Sequence, residues 1–149
     1  MNRPFIITVS GSHGGAGKTA LIEMLLPYIP NAVAVKVQYH DGHASSLMEE
    51  TDASADPSKD TARYLTAGAR KAFLITGGDG SLSQLVEKAI SSDDFDAVLI
   101  ESNRMAREME SDLSFYVRAI GEEKLGADEC RRRADVVVEG FKPKEAPDG

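Results

Sequence analysis

Five short runs of nearly unbroken apolar residues recur between longer amphipathic or polar segments: Phe5 to Val9, Ala32 to Val37, Lys71 to Thr76, Ala97 to Glu101 and Asp135 to Val138. Continuous rather than alternating hydrophobicity means burial on both faces, so the pattern predicts a mostly parallel sheet with helices packed on it. Leu113 to Ile120 alternates instead, with Leu113, Phe115, Val117 and Ala119 on one side, which reads as an edge strand. The helices are placed by their ends. Lys18 to about Leu26 carries Ala20, Leu21, Met24 and Leu25 on one stripe, and Pro27 and Pro30 stop it. Asp56-Pro57 reads as an N-cap and first-turn proline for a helix that runs through Tyr64 and closes at Gly68. Ser81-x-x-Gln84 resembles a capping box ahead of Leu82, Leu85, Val86, Ala89 and Ile90. Asp41 to Ala55 and Ser102 to Ser111 lack either period and are predicted loops. A chain of 149 residues suits one domain, 1–149.

The segment between the first run and the first helix reads Ser12-His13-Gly14-Gly15-Ala16-Gly17-Lys18-Thr19. Glycines free successive backbone N–H groups to turn inward on phosphate oxygens; the lysine then meets the terminal phosphates, and the hydroxyl meets magnesium at a helix start. The usual pattern puts its first glycine where this chain has Ser12, and Gly11 falls one residue early. Serine is small enough for that corner if its φ is negative. A bare glycine turn, or a dinucleotide-binding turn, leaves Lys18 without a reason. The expectation is an α/β, three-layer P-loop NTPase with a mostly parallel central sheet, in which residues 12–19 hold a nucleoside triphosphate with Mg2+.

Such chemistry also needs a carboxylate near the metal at the end of a neighbouring strand. Glu101 ends the run Ala97 to Glu101 and is the Walker-B-type candidate. Asp41 follows the second run and is placed at the same sheet edge, able to hold magnesium directly or through water. Lys18, Asp41 and Glu101 are therefore the catalytic candidates, and Thr19, Asp41 and Glu101 the metal ligands. No internal arginine finger is evident, which predicts slow hydrolysis. His13, His40 and His43 fall in segments assigned to this edge, without the spacing of a transition-metal site. Arg131-Arg132-Arg133 reads as a solvated helix turn.

With 17 Lys and Arg against 24 Asp and Glu, the net charge of −7 disfavours a nucleic-acid binder. The single cysteine allows no internal disulfide. No apolar run approaches the ~20 residues of a membrane span, and the N-terminus does not resemble a signal peptide. The expected compartment is the cytoplasm.

Three stretches resemble the MobB family, molybdopterin-guanine dinucleotide biosynthesis protein B, within the class of P-loop proteins that holds the nickel-insertion GTPases. The first is the glycine loop. The second is Val35-Lys36-Val37-Gln38-Tyr39-His40-Asp41, with Lys36, His40 and Asp41 in register with that family's strand-to-loop segment. The third is Asp56-Pro57-Ser58-Lys59-Asp60-Thr61 followed by Ala67-Gly68-Ala69, similar to its D-x-x-x-K-D-[ST] helix closing on A-G-A. The resemblance covers the first half of the chain. It implies GTP with magnesium, slow hydrolysis, and an accessory role in molybdenum cofactor biosynthesis, as a homodimer that presents nucleotide or molybdopterin to a cofactor-maturation enzyme. It also implies ligand contacts from Lys36 and His40, and from Lys59 and Asp60 to a second ligand. The second half departs: Glu101 is followed by Ser102-Asn103-Arg104 where the family has Gly-Phe-Lys, and Glu139-Gly140-Phe141-Lys142 comes only after the last run. No Asn-Lys-x-Asp stretch is present to fix guanine, so GTP over ATP rests on the resemblance. The residues leave two other readings open: an ATP-dependent small-molecule kinase, in which Asp41 to Ala55 closes over an acceptor, and a nucleotide-gated binding module or metallochaperone with little turnover.

Overall fold

The computed structural model describes residues 3–14, 16–52, 56, 59–78, 80–121 and 123–140. Gly15, Ala55, Pro57, Ser58, Phe141 and Lys142, which figure in the sequence motifs, lie outside them. The chain alternates strands and helices: β1 Phe5–Gly11, α1 Lys18–Leu25, β2 Ala32–Tyr39, β3 Ser46–Glu50, α2 Asp60–Ala67, β4 Lys71–Gly77 and α3 Leu82–Ile90. There follow β5 Ala97–Glu101, α4 Asn103–Glu108, β6 Leu113–Arg118, α5 Ala127–Arg133 and β7 Val136–Glu139. A 3-10 turn at Leu26–Tyr28, with Pro27 in its first turn, ends α1.

The strands form one sheet in the order β3-β4-β2-β5-β1-β6-β7. Every pairing is parallel except the antiparallel β3 and β4. Strand β5 is buried along its whole length, which is why its sequence is apolar without alternation. One sheet face packs α1 and α2 through Leu21, Ile22 and Tyr64 against Val9, Ala34 and Leu99. The other packs α3 and α4 through Leu82, Val86, Ala89 and Met105 against Val35, Ile75 and Ile100. Tyr116 of β6 meets Ala127 and Cys130 of α5 in a smaller cluster. Each fully buried Val, Leu or Ile contributes about 1.5–3 kcal/mol relative to exposure, so these two layers fix the sheet between them.

Four expectations are corrected. Strand β6 is not an edge: β1 and β7 flank it, and β3 and β7 are the outer strands. Its alternation reflects a buried Tyr116 and Val117 between half-buried and exposed neighbours rather than an unpaired side. Helix α2 starts at Asp60 with Lys59 as N-cap, not at Asp56; a turn from Lys59 N–H to the Asp56 carbonyl, 3.1 Å, precedes it. The predicted loop Asp41 to Ala55 contains β3, in which Leu47 alone packs inward opposite Ile75. The predicted loop Ser102 to Ser111 contains α4, capped by the Ser102 side chain on the Met105 N–H at 3.0 Å.

Candidate functional site

Parallel strands bring their carboxyl ends to one edge. In the order β2-β5-β1, Glu101 at the end of β5 stands in register between Lys36 of β2 and Val9 of β1. The loop after β1 passes over this edge into α1, whose N-cap is Gly17 at φ 105°, a conformation that L side chains rarely adopt. Lys18 opens the helix and folds its stem back over Gly11, where an added Cβ would lie 3.1 Å from Lys18 Cγ and 3.2 Å from Ala16 Cβ. That close approach explains a glycine one residue ahead of the usual pattern. Ser12 takes the corner instead: it is buried, its Oγ accepts from the Ala119 N–H at 3.0 Å, and its φ is not positive, Asn31 being the one such non-glycine among the described residues.

Glu101 is only 4% exposed and is held by three groups. Thr19 Oγ1 donates to Glu101 Oε1 at 2.7 Å, the Tyr64 hydroxyl donates to the same oxygen, and Lys36 Nζ lies 3.5 Å from Oε2. Lys36 also pairs with Asp60 at the start of α2, and Asp60 lies 3.5 Å from Arg63. Burial pushes the Tyr64 phenol well above the ordinary tyrosine value, and the Glu101 charge adds to the effect. Burial opposes the charge on Lys36, but Glu101 and Asp60 outweigh it and hold the ammonium above the ordinary lysine range. Lys18 goes the other way: burial lowers it, Lys124 and Lys36 add repulsion, and Glu101 only partly compensates. A buried ammonium with repelling cations beside it is stabilised by an incoming anion.

Above this network opens a cleft of about 610 Å³. Five cations line it, Lys18, Lys36, Arg104, Arg107 and Lys124, against one acid, Glu101. Among the described residues only Lys36 and Arg104 of the five are ion-paired, Arg104 with Glu108 at 2.8 Å. Arg107 donates to the Gly126 carbonyl at 3.3 Å. In a chain of net charge −7, so cationic a cleft suits a polyanion.

The remaining candidates divide. Gly14 and His40 line the cleft. Ala16 is buried beneath the loop, its N–H on the His13 carbonyl at 3.1 Å, and the His13 ring meets the Ile120 carbonyl at 3.2 Å. Asp41 is exposed, accepts from the Tyr39 hydroxyl at 3.2 Å, and is not among the residues lining the cleft with Glu101. Lys59 is exposed, while Asp60 reaches the site through Lys36. The His40 and His43 rings lie edge to face at 5.8 Å, and no group of three His, Cys, Asp or Glu among the described residues is arranged to hold a metal. Arg131, Arg132 and Arg133 end α5, ion-paired to Glu123, Asp128 and Glu129. Sequence reasoning missed Tyr64, Asn103, Arg104, Arg107 and Lys124 at this edge. Asn103 Oδ1 accepts from the Gly11 N–H and its Nδ2 donates to the Gly11 carbonyl, both at 2.8 Å, which ties α4 to the end of β1.

No family model matches the chain, and no curated protein matches it by sequence. Among solved structures, LpxK from Aquifex aeolicus, determined in complex with ATP, superposes with a TM-score of 0.58 at 16% identity over 95% of this chain. The match spans 50% of that protein, so the chain has about half its length. The likeness is one of fold, a three-layer α/β architecture around a mostly parallel central sheet, as the sequence pattern predicts. No helix among the described residues is long and apolar enough to cross a membrane.

Proposed function

We propose that the chain binds a nucleoside triphosphate with magnesium at the β1 end of the cleft and hydrolyses it slowly. The observation that carries this is the Thr19–Glu101 contact of 2.7 Å, one residue after Lys18 at the start of a helix that follows a glycine loop. The backbone N–H groups of Gly14, Gly17 and Lys18 and the Lys18 ammonium hold the phosphates, the Ala16 N–H being taken by the His13 carbonyl. The hydroxyl and the carboxylate are hard oxygen donors already in contact, which is the donor set magnesium takes, so Thr19 and Glu101 fit the ion. When bound, the ion would neutralise charge on the terminal phosphate oxygens. Tyr64 and Lys36 hold the Glu101 carboxylate in place, and Arg107 and Lys124 add positive charge where the leaving phosphates gain negative charge. Glu101 is preferred to Asp41 as the acid that serves the metal, because Asp41 stands off the cleft.

The finer reading rests on the sequence resemblance: a MobB-like GTP-binding accessory protein of molybdenum cofactor biosynthesis, homodimeric and cytoplasmic, handing nucleotide or molybdopterin to a maturation enzyme. The likeness in fold to an ATP-complexed protein supports equally the ATP-dependent small-molecule kinase. The two differ in base preference and in the phosphoryl acceptor.

Calorimetric titration of GTP and of ATP, with and without magnesium, tests the common core. Native chain should bind at least one of them in a magnesium-dependent way, and Lys18→Ala should lose about 100-fold or more in affinity, the scale of a charge-assisted phosphate contact removed from a desolvated site. Equal binding by the two chains would remove the nucleotide reading. Product analysis then separates water from a metabolite as acceptor.

A further inference from the structure

The cleft reaches from the glycine loop across to the close of β2 and to α4. Its β1 end holds Gly14 and Lys18; its far end is formed by Gln38, Tyr39 and His40 at the close of β2 and by Arg104 on α4. Strand β5 lies between β2 and β1, so two strand spacings, about 10 Å, separate the two ends. The cations divide in the same way. Arg107 bonds the Gly126 carbonyl just before α5, on the same side as Lys124, whereas the Arg104 guanidinium lies over the Tyr39 ring, 4.2 Å from its centroid. Lys36, between them, is occupied by Asp60 and Glu101.

Arg104 is held as a recognition group is held. The ring fixes the plane of its guanidinium, and Glu108 takes its Nε at 2.8 Å, which leaves the two terminal nitrogens as donors. An exposed i,i+4 pair with Glu108 is by itself worth only about 0.3–0.5 kcal/mol and does not call for an aromatic platform. The Gln38 amide and the His40 ring line the same end from a different element. Donors approaching from two elements suit a tetrahedral anion better than a planar carboxylate.

We propose that the β2–α4 end of the cleft binds the phosphate group of a second, small-molecule ligand, with Arg104 stacked on Tyr39 as its anchor, while a nucleotide occupies the β1 end. The site rests on the nucleotide reading for its neighbour and on the Arg104–Tyr39–His40 arrangement for itself.

Inorganic phosphate is the probe, titrated calorimetrically into the full chain in phosphate-free buffer, with and without saturating magnesium and a non-hydrolysable triphosphate. Nucleotide-loaded native chain is expected to take up one phosphate. Arg104→Gln should weaken that uptake about ten-fold or more, with nucleotide affinity changed less than about three-fold. Tyr39→Leu, which leaves the charge and removes the platform, should weaken phosphate several-fold. Phosphate that binds only the nucleotide-free chain, or native and Arg104→Gln alike, overturns the second site. So does an Arg104→Gln chain that loses nucleotide by about ten-fold, because the arginine then serves the nucleotide. Should native chain bind no nucleotide at all, the functional reading falls by itself, and phosphate titrated into Lys18→Ala decides the subsite. Uptake that still depends on Arg104 upholds it, and none discards it.

Discussion

Glu101 shows how much of this site is decided by single atoms. A carboxylate 4% exposed must be satisfied, and here two hydroxyls and an ammonium do so. Tyr64→Phe removes one of those donors and leaves the charge buried, which should cost about 1–3 kcal/mol in urea unfolding at neutral pH. The same phenol sets an alkaline limit. Its folded-state pKa lies above that of the unfolded chain, so above about pH 10 the unfolded state has lost a proton that the native state keeps, and stability falls as pH rises. Tyr116, raised in the same direction by burial and then by Glu123, contributes likewise. Melting temperatures between about pH 9 and 12 should therefore drop less steeply for Tyr64→Phe than for native; parallel curves would mean that the phenol titrates normally. Lys18 carries the opposite sign. Its ammonium is disfavoured in the fold, so Lys18→Met, which keeps the stem packed over Gly11, should raise the melting temperature by about 2–4 °C, the shift that ~1 kcal/mol makes in a chain of this length, while nucleotide binding is lost. A lowered melting temperature would show that the attraction of Glu101 outweighs the burial. The positions of the glycine loop and of Glu101 at one sheet edge were legible because each carries a local mark, a glycine-rich turn ahead of an amphipathic helix and an apolar run closed by an acid. Tyr64 was not: its hydroxyl faces an acid 37 positions on, and in its own helix it reads as one more core aromatic.

At the scale of elements, what the sequence concealed is what sits just above the sheet edge. Helix α4 has six residues, too few to develop a 3.6-residue stripe, and its one fully buried side chain is Met105. Strand β3 has five, with two acids at its end, and is held mainly by its ladder to β4. Both were read as loops because tertiary pairing, not local pattern, makes them regular. The strongly patterned elements, β1, β2, β4, β5 and α3, were legible almost to their ends. Yet α4 matters most for the cleft, since it carries Arg104 and Arg107 and is fastened to β1 by the paired Asn103–Gly11 bonds. Asn103→Ala strands a buried N–H and a carbonyl together. It should destabilise the chain by about 2 kcal/mol or more and weaken nucleotide binding as Arg107 loses its footing. A change in urea midpoint equivalent to less than about 0.5 kcal/mol would mean that water replaces both bonds, and that α4 is positioned by Met105 alone.

Across the whole molecule, the parallel topology produces a separation of charge that composition hides. Strand order could not be read from the chain, because β2, β5 and β1 are neighbours in space but are interrupted in sequence by two other strands and three helices. Once they are adjacent, five cations drawn from positions 18 to 124 face one opening, while the molecule as a whole is acidic. A small positive mouth on a negative body attracts a polyanion only over the distance salt permits. Between about 0.01 and 0.15 M ionic strength the Debye length contracts from about 30 to about 8 Å, less than the width of the domain. At the lower figure the repulsion of the acidic surface reaches the approaching nucleotide together with the pull of the cleft; at the higher one only the near cations act. Stopped-flow association of a fluorescent triphosphate should therefore depend on salt far less than for a protein whose net charge and site share a sign, while the dissociation rate rises with salt as the contacts to Lys18, Arg107 and Lys124 are screened. Arg107→Gln and Lys124→Gln should each flatten the salt dependence of dissociation. If the association rate instead falls steeply with salt in the native chain, the cleft dominates the far field and the acidic surface has no say in which anions arrive.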